Sequence, residues 1–271
     1  MLAPPWEAER DCLKWPSSNL GMDQRWCCSA LMEYTHFLVV GANRGIGYEL
    51  VNQILKTSSH HKVAATYRDP SKLDALKRLL SEPGNEDRLL LIHLDMNDPD
   101  SCHSAAGAVL DSKLKTLDVV IVNAGVNLRN ATLTTQDLQE VANILDTNLL
   151  GPLRVCQAFV PLLKSQSTLS KLVLMSSEAG SISEHKDERS PAYGISKAAL
   201  NMAGRKLSAE LLSHNITVAL VHPGWVKTGM GGPNAQISTE TSVTGMLKVI
   251  GKLDLGNSGE FWNYDGSNHN W

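Results

Sequence analysis

The chain has 271 residues, 42% of them apolar, and a formal net charge of −3. That length suits one large α/β domain or two small ones, and the near-neutral, scattered charge gives no reason to expect nucleic acid or an anionic membrane as a partner. Five cysteines, Cys12, Cys27, Cys28, Cys102 and Cys156, are odd in number and fit no metal spacing, so the reading is a reduced compartment with no disulfide framework and no metal. No run approaches the roughly 18 to 20 apolar residues of a membrane span. Residues 1–33 carry no apolar signal region and place Glu7, Glu9 and Asp11 early, against a secretory or mitochondrial leader. The cytosol is the expected compartment.

Residues 1–33 show neither helical nor strand period and are expected to be a disordered extension, with the folded domain over 34–271. From residue 35 onward, short apolar runs alternate with helical patterns. Strands are predicted at 35–40, 62–67, 88–94, 117–122, 171–176, 216–221 and 260–264. Helices are predicted at 46–55, 71–80, 99–113, 134–163 with a break near Gly151 and Pro152, 192–213 and 238–250. The strand runs are continuously apolar, as in a parallel sheet covered by helices on both faces. The expected fold is one doubly wound α/β domain, a Rossmann arrangement with a mainly parallel sheet of about seven strands. In such sheets ligands bind at the C-terminal strand ends, so the residues following each strand carry the functional reading.

After the first strand stands "GANRGIG". Gly41, Gly45 and Gly47 let the backbone turn tightly and bring a helix N-terminus close to a pyrophosphate. After the second strand, "TYRDP" places Arg68 where a ribose 2′-phosphate would want a cation, and Arg44 supplies a second guanidinium. Asp69 is one position later and would suit a free ribose hydroxyl. The two arginines favour NADPH over NADH. After the third strand, Asp95 can accept from an adenine amino group or cap the next helix, a task open also to Asp98. After the fourth comes Asn123, Ala124 and Gly125, whose small side chains allow close approach and whose asparagine can tie neighbouring strands. Ser176 and Ser177 follow the fifth strand. Pro223 and Gly224 turn the chain after the sixth, ahead of Thr228. Tyr193 and Lys197 lie four residues apart, on one helical face.

The motifs "GANRGIG", "NAG", "TN" at 147–148, "MSSEAG", "YGISK" and "HPGWVKT" appear in this order between residues 41 and 228. Together they resemble the short-chain dehydrogenase/reductase family, and within it the C-factor and Sniffer-like carbonyl reductases, over residues 35–271. The resemblance implies an NADPH-dependent reduction of a small ketone, aldehyde or quinone. Tyr193 would be the general acid, and Lys197 would hold the nicotinamide ribose and lower the tyrosine pKa. Ser177 would hold the substrate oxygen, and Asn148 would anchor a water linking the lysine to solvent. It also implies cofactor contacts from Asn43, Ile46, Met96 and Val226. Val40 departs from the family pattern of threonine before the first glycine. The stretch 178–192 is longer and more charged than usual, is expected to line the substrate entrance, and is too short for an extra helix that would keep the protein monomeric. A homodimer through helices 134–163 and 192–213 is therefore expected. A nucleotide-binding sensor of the same fold and an NAD-linked alcohol dehydrogenase are the competing readings.

Overall fold

The computed structural model describes residues 34–127, 132–164, 168–184 and 189–271; the extension at 1–33 and part of the charged stretch at 178–192 lie outside them. Seven strands form one sheet: β1 (His36–Val40), β2 (Lys62–Tyr67), β3 (Leu89–His93), β4 (Val119–Val122), β5 (Ser170–Met175), β6 (Ile216–His222) and β7 (Phe261–Asn263). Their order is β3-β2-β1-β4-β5-β6-β7 and every pairing is parallel. The chain starts in the middle, winds outward to β3, then returns to β4 on the other side of β1. The crevice where the order reverses, outside the ends of β1 and β4, is the binding place this topology provides.

Both faces of the sheet are covered, which explains the unbroken apolar runs. Phe37 and Val39 point into one core with Leu50, Ile54, Met246 and Ile250, while Leu38 and Val40 point into the other with Val109, Phe159 and Leu172. The period of two along β1 thus divides its side chains between two helical layers. The first layer holds α1 (Gly45–Thr57), α2 (Asp74–Leu80) and α7 (Thr239–Lys252). The second holds α3 (Pro99–Asp111), α4 (Leu138–Leu145), α5 (Gly151–Lys164) and α6 (Pro191–Leu211).

Helix starts follow side-chain capping. Asp98 accepts from the Asp100 amide and begins α3, Asp137 accepts from the Gln139 amide and begins α4, and Ser238 accepts from the Thr241 amide and begins α7. The helix read as 134–163 therefore begins later, at Leu138. Its break is a π-helical turn over Asp146–Leu150 that brings Asn148 into the buried interior. Such turns insert one residue into the helical ladder and re-aim the side chains around it. The segment read as 71–80 is a 3-10 turn at Pro70–Lys72 followed by α2, because the Asp69 side chain takes the Ser71 amide and closes a separate turn.

Candidate active site

At the end of β1, Gly41 and Gly45 adopt φ of +77° and +55°, which L side chains rarely occupy. Close approach adds a second constraint. A Cβ on Gly41 would lie 2.7 Å from the Ala124 Cβ, and one on Gly47 would lie 2.0 Å from the Gly41 carbonyl oxygen. The Asn123 amide donates to that same carbonyl at 3.0 Å, so β4 does tie the loop that follows β1. The N-terminus of α1 has no side-chain cap and no acidic residue in its first turn, leaving its amides and dipole for an anion.

A groove of about 310 Å³ runs along the C-terminal ends of β1 to β5. From the loop after β1 it is lined by Gly41, Asn43, Arg44, Gly45 and Ile46, and after β2 by Arg68. Asp95 and Met96 line it after β3, then Asn123, Ala124 and Gly125, then Tyr193 and Lys197 of α6, and Pro223 and Thr228 after β6. Gly47 lies buried beneath the loop rather than on the groove. Gly224 and Val226 border a neighbouring cavity instead. Asp98 does the capping of α3, while Asp95 faces the groove and accepts from the Asn97 amide.

Arg44 and Arg68 are exposed, and neither is in an ion pair among the described residues. Asp69, the competing carboxylate, is engaged by Ser71 and by Lys72 at 2.9 Å. The Ser71 hydroxyl and the lysine ammonium hold it down at about 2. Lys72 also lines the groove, a third cation that sequence spacing did not single out because a 3-10 turn carries it there.

On α6, Tyr193 and Lys197 share a face, with the Lys197 Nζ 5.6 Å from the phenol ring centroid. Lys197 is buried and donates to the Met175 carbonyl at 2.7 Å, at the very end of β5. Burial lowers its pKa to about 8. For Tyr193 burial is the largest influence and raises the pKa; a hydrogen bond with the Ser177 side chain pulls it down, and the Glu178 charge pushes it up. The net direction is upward, so the expected lowering by Lys197 is not what this arrangement produces. The ammonium is 5.6 Å from the ring, whereas desolvation acts on the phenolate directly.

Asn148 is fully buried, and both ends of its amide are used. Its Oδ1 accepts from the Val126 amide at 2.9 Å, and its Nδ2 donates to the Val126 carbonyl at 2.8 Å and to Ser196 Oγ at 3.0 Å. It clamps the loop after β4 to α6 and makes no hydrogen bond to Lys197. A Cβ on Gly125 would come within 3.3 Å of the Asn148 oxygen and 3.6 Å of the Lys197 Nζ. The two serines after β5 divide their work. Ser176 Oγ donates to the Asn201 side chain in the interior, while Ser177 lies beside the Tyr193 hydroxyl.

The pattern of the short chain dehydrogenase family matches residues 35–237. This chain belongs to that family. It is 42% identical over 155 residues to C-signal of Myxococcus xanthus, covering 57% of this chain and 93% of that protein. Among solved structures, an NADPH-bound carbonyl reductase from chicken fatty liver superimposes with a TM-score of 0.81 at 35% identity, covering 88% of this chain and 99% of the other. The carbonyl reductase Sniffer of Drosophila melanogaster does so with a TM-score of 0.81 at 31% identity, over 88% and 99%.

In this short chain dehydrogenase a second cavity, of about 660 Å³, adjoins the groove and shares Tyr193, Ile46, Thr228 and Met230 with it. Ser177, Glu178, Arg189, His222 and Trp225 also line it. His222 and Trp225 fall inside "HPGWVKT", which was read for its turn and its threonine. Between them in the chain, Gly224 is left-handed at φ +81°, and a Cβ there would strike Ile237 and Tyr264.

Proposed function

We propose that this chain is an NADPH-dependent carbonyl reductase acting on a ketone, aldehyde or quinone. The observation that carries the reading is the meeting of the two cavities at Tyr193: one has the shape and charge of a dinucleotide groove, the other has room for a small organic substrate. The cofactor fits the residues present. The Gly41–Gly47 turn and the uncapped start of α1 would hold its pyrophosphate, and Arg44, Arg68 and Lys72 would hold a 2′-phosphate. Asp95 and Met96 would flank the adenine, and Asn123 to Gly125 would leave space for the chain of the cofactor. When bound, NADPH supplies the hydride.

The protein's own part is to orient and to move a proton. Tyr193 donates its phenolic proton to the carbonyl oxygen, which Ser177 holds from the side of β5. The raised phenol pKa keeps Tyr193 in the protonated form that reduction requires. Lys197, pinned to the Met175 carbonyl, places positive charge where negative charge develops. Asn148 keeps the loop after β4 and α6 in register. The partner is a second copy, through the outer faces of α4, α5 and α6, where Ile195 and Met202 are exposed. We place the protein in the cytosol, in line with the free, buried Cys102 and Cys156, and take 34–271 as the catalytic domain.

The likeness to C-signal favours a second reading, in which nucleotide binding serves signalling with little turnover. One assay separates them. The full chain is mixed with NADPH and a panel of diketones, quinones and aldehydes, and loss of cofactor absorbance is followed. Turnover is expected, with Tyr193→Phe lowering kcat by about a thousandfold while NADPH affinity changes only a few-fold. Tight NADPH binding without turnover of any carbonyl would overturn the reductase reading in favour of the signalling one.

A further inference from the structure

The second cavity holds a carboxylate that the proposed chemistry does not use. Glu178 directly follows Ser177, at the first residue of a 3-10 turn, and its side chain is 58% exposed. Two contacts, both from His222, place it. The Glu178 amide donates to His222 Nδ1 at 3.2 Å, and His222 Nε2 stands 3.7 Å from the Glu178 carboxylate. Because Nδ1 accepts a hydrogen bond, the ring proton of a neutral imidazole is on Nε2, facing the carboxylate. The imidazole stays neutral: burial, with the His269 ring 5.8 Å away, pushes its pKa down to about 4. His222 therefore fixes the Glu178 backbone and lies beside its carboxylate without cancelling its charge. Among the described residues no lysine or arginine pairs with Glu178. Its field nevertheless reaches the reacting group, since its charge registers on the Tyr193 phenol.

The same cavity presents an aromatic wall. The Trp225 Nε1 donates to the Gly231 carbonyl at 2.9 Å, which commits the polar edge of the indole and leaves its carbon surface for a ligand. A carboxylate that no described lysine or arginine pairs with, together with an indole, is a pairing that suits a positively charged group. Arg189 also lines the cavity but is engaged in an interaction of its own.

We infer that Glu178, its backbone fixed by His222, works with Trp225 to make this enzyme select carbonyl substrates that carry an ammonium group. The inference rests on reading the second cavity as the substrate site. A carboxylate this exposed acts through screened water, so the preference it gives is moderate.

The test compares three matched ketones, differing only in an ammonium, a neutral or a carboxylate substituent, through the ratios of their kcat/KM values. The parent chain is expected to favour the ammonium ketone over the neutral one by about tenfold, a preference that shrinks with added salt. Glu178→Gln is expected to bring the ratio near one, and Glu178→Lys to invert it in favour of the carboxylate. An unchanged ratio in both variants would overturn the inference. So would a parent chain that prefers the carboxylate ketone, which would give the cavity to Arg189. The corresponding alcohols are titrated calorimetrically into the NADPH-saturated chain, where no reaction can occur. Ammonium preference in binding without turnover of any ketone overturns the reductase reading and leaves this one standing; turnover without ammonium preference does the reverse.

Discussion

Lys171 of β5 and Lys197 of α6 are both buried, and they bind at opposite ends of β5. Lys171 is the second residue of the strand. Its Nζ donates to the Ile250 carbonyl at 2.6 Å and the Gly251 carbonyl at 3.2 Å, and it lies 4.3 Å over the Tyr34 ring. It is a cation absorbed by the end of α7, where free carbonyls favour positive charge. Lys197, by contrast, gives one hydrogen bond among the described residues, to the carbonyl of the strand's last residue, and borders the groove. The difference teaches how to sort buried charge in this fold. A cation saturated by backbone at the N-terminal edge of the sheet is architecture. A cation left partly unsatisfied at the C-terminal edge is held for a ligand.

The largest expected effect separates the two lysines. Lys197→Met should lower carbonyl reduction by about a thousandfold or more and yet raise thermal stability. The sign follows from linkage. The Lys197 pKa falls from 10.5 unfolded to about 8 folded. Below about 8 the folded chain carries the whole cost of a buried ammonium, which diminishes between about 8 and 10.5 and is gone above that. The shift corresponds to about 3 kcal/mol, less the hydrogen bond to Met175. Thermal melts at neutral pH check it, and a variant less stable than its parent would break the distinction. In the parent, kcat/KM for reduction should decline above about pH 8 as the ammonium is lost, while the raised Tyr193 pKa keeps the phenol protonated there.

A second, smaller effect tests the groove itself. Arg68→Asp should weaken NADPH binding by about tenfold or more and leave NADH nearly unchanged, because an Arg–phosphate pair is lost and a repulsion gained. Equal losses for both cofactors, read by fluorescence titration, would remove Arg68 from the 2′-phosphate site. The smallest catalytic effect belongs to the other end of β5. Lys171→Met should cost about 2 kcal/mol of stability by stranding the α7 carbonyls, and leave kcat of the folded protein within twofold. A large fall in kcat would mean that the two ends of the strand are coupled.

Much of this could be read from local sequence. The strand runs, the glycine turn and the Tyr193–Lys197 pair each lie within a few residues, where period and backbone sterics act directly. The break in the long helix was visible near Gly151, but its form was not. A π turn adds one residue to the ladder, and an apolar pattern of period 3.6 tolerates that without a signal. Ser176 and Ser177 were adjacent candidates. The pleat sends one side chain to Asn201 in the core and the other to Tyr193, which settles their division of labour. Motif spacing also says nothing of desolvation, which is the largest influence on the Tyr193 phenol.

By itself the sequence determined the alternating α/β plan, the loop that must be glycine, and which side chains could exchange a proton, since these follow from nearest-neighbour sterics and residue chemistry. Packing across the whole fold is what makes Asn148 clamp backbone and what brings Glu178, His222 and Trp225 into one cavity. Those relations join residues far apart in the chain, and it takes the closed sheet and its packed helices to bring their charges within reach of each other.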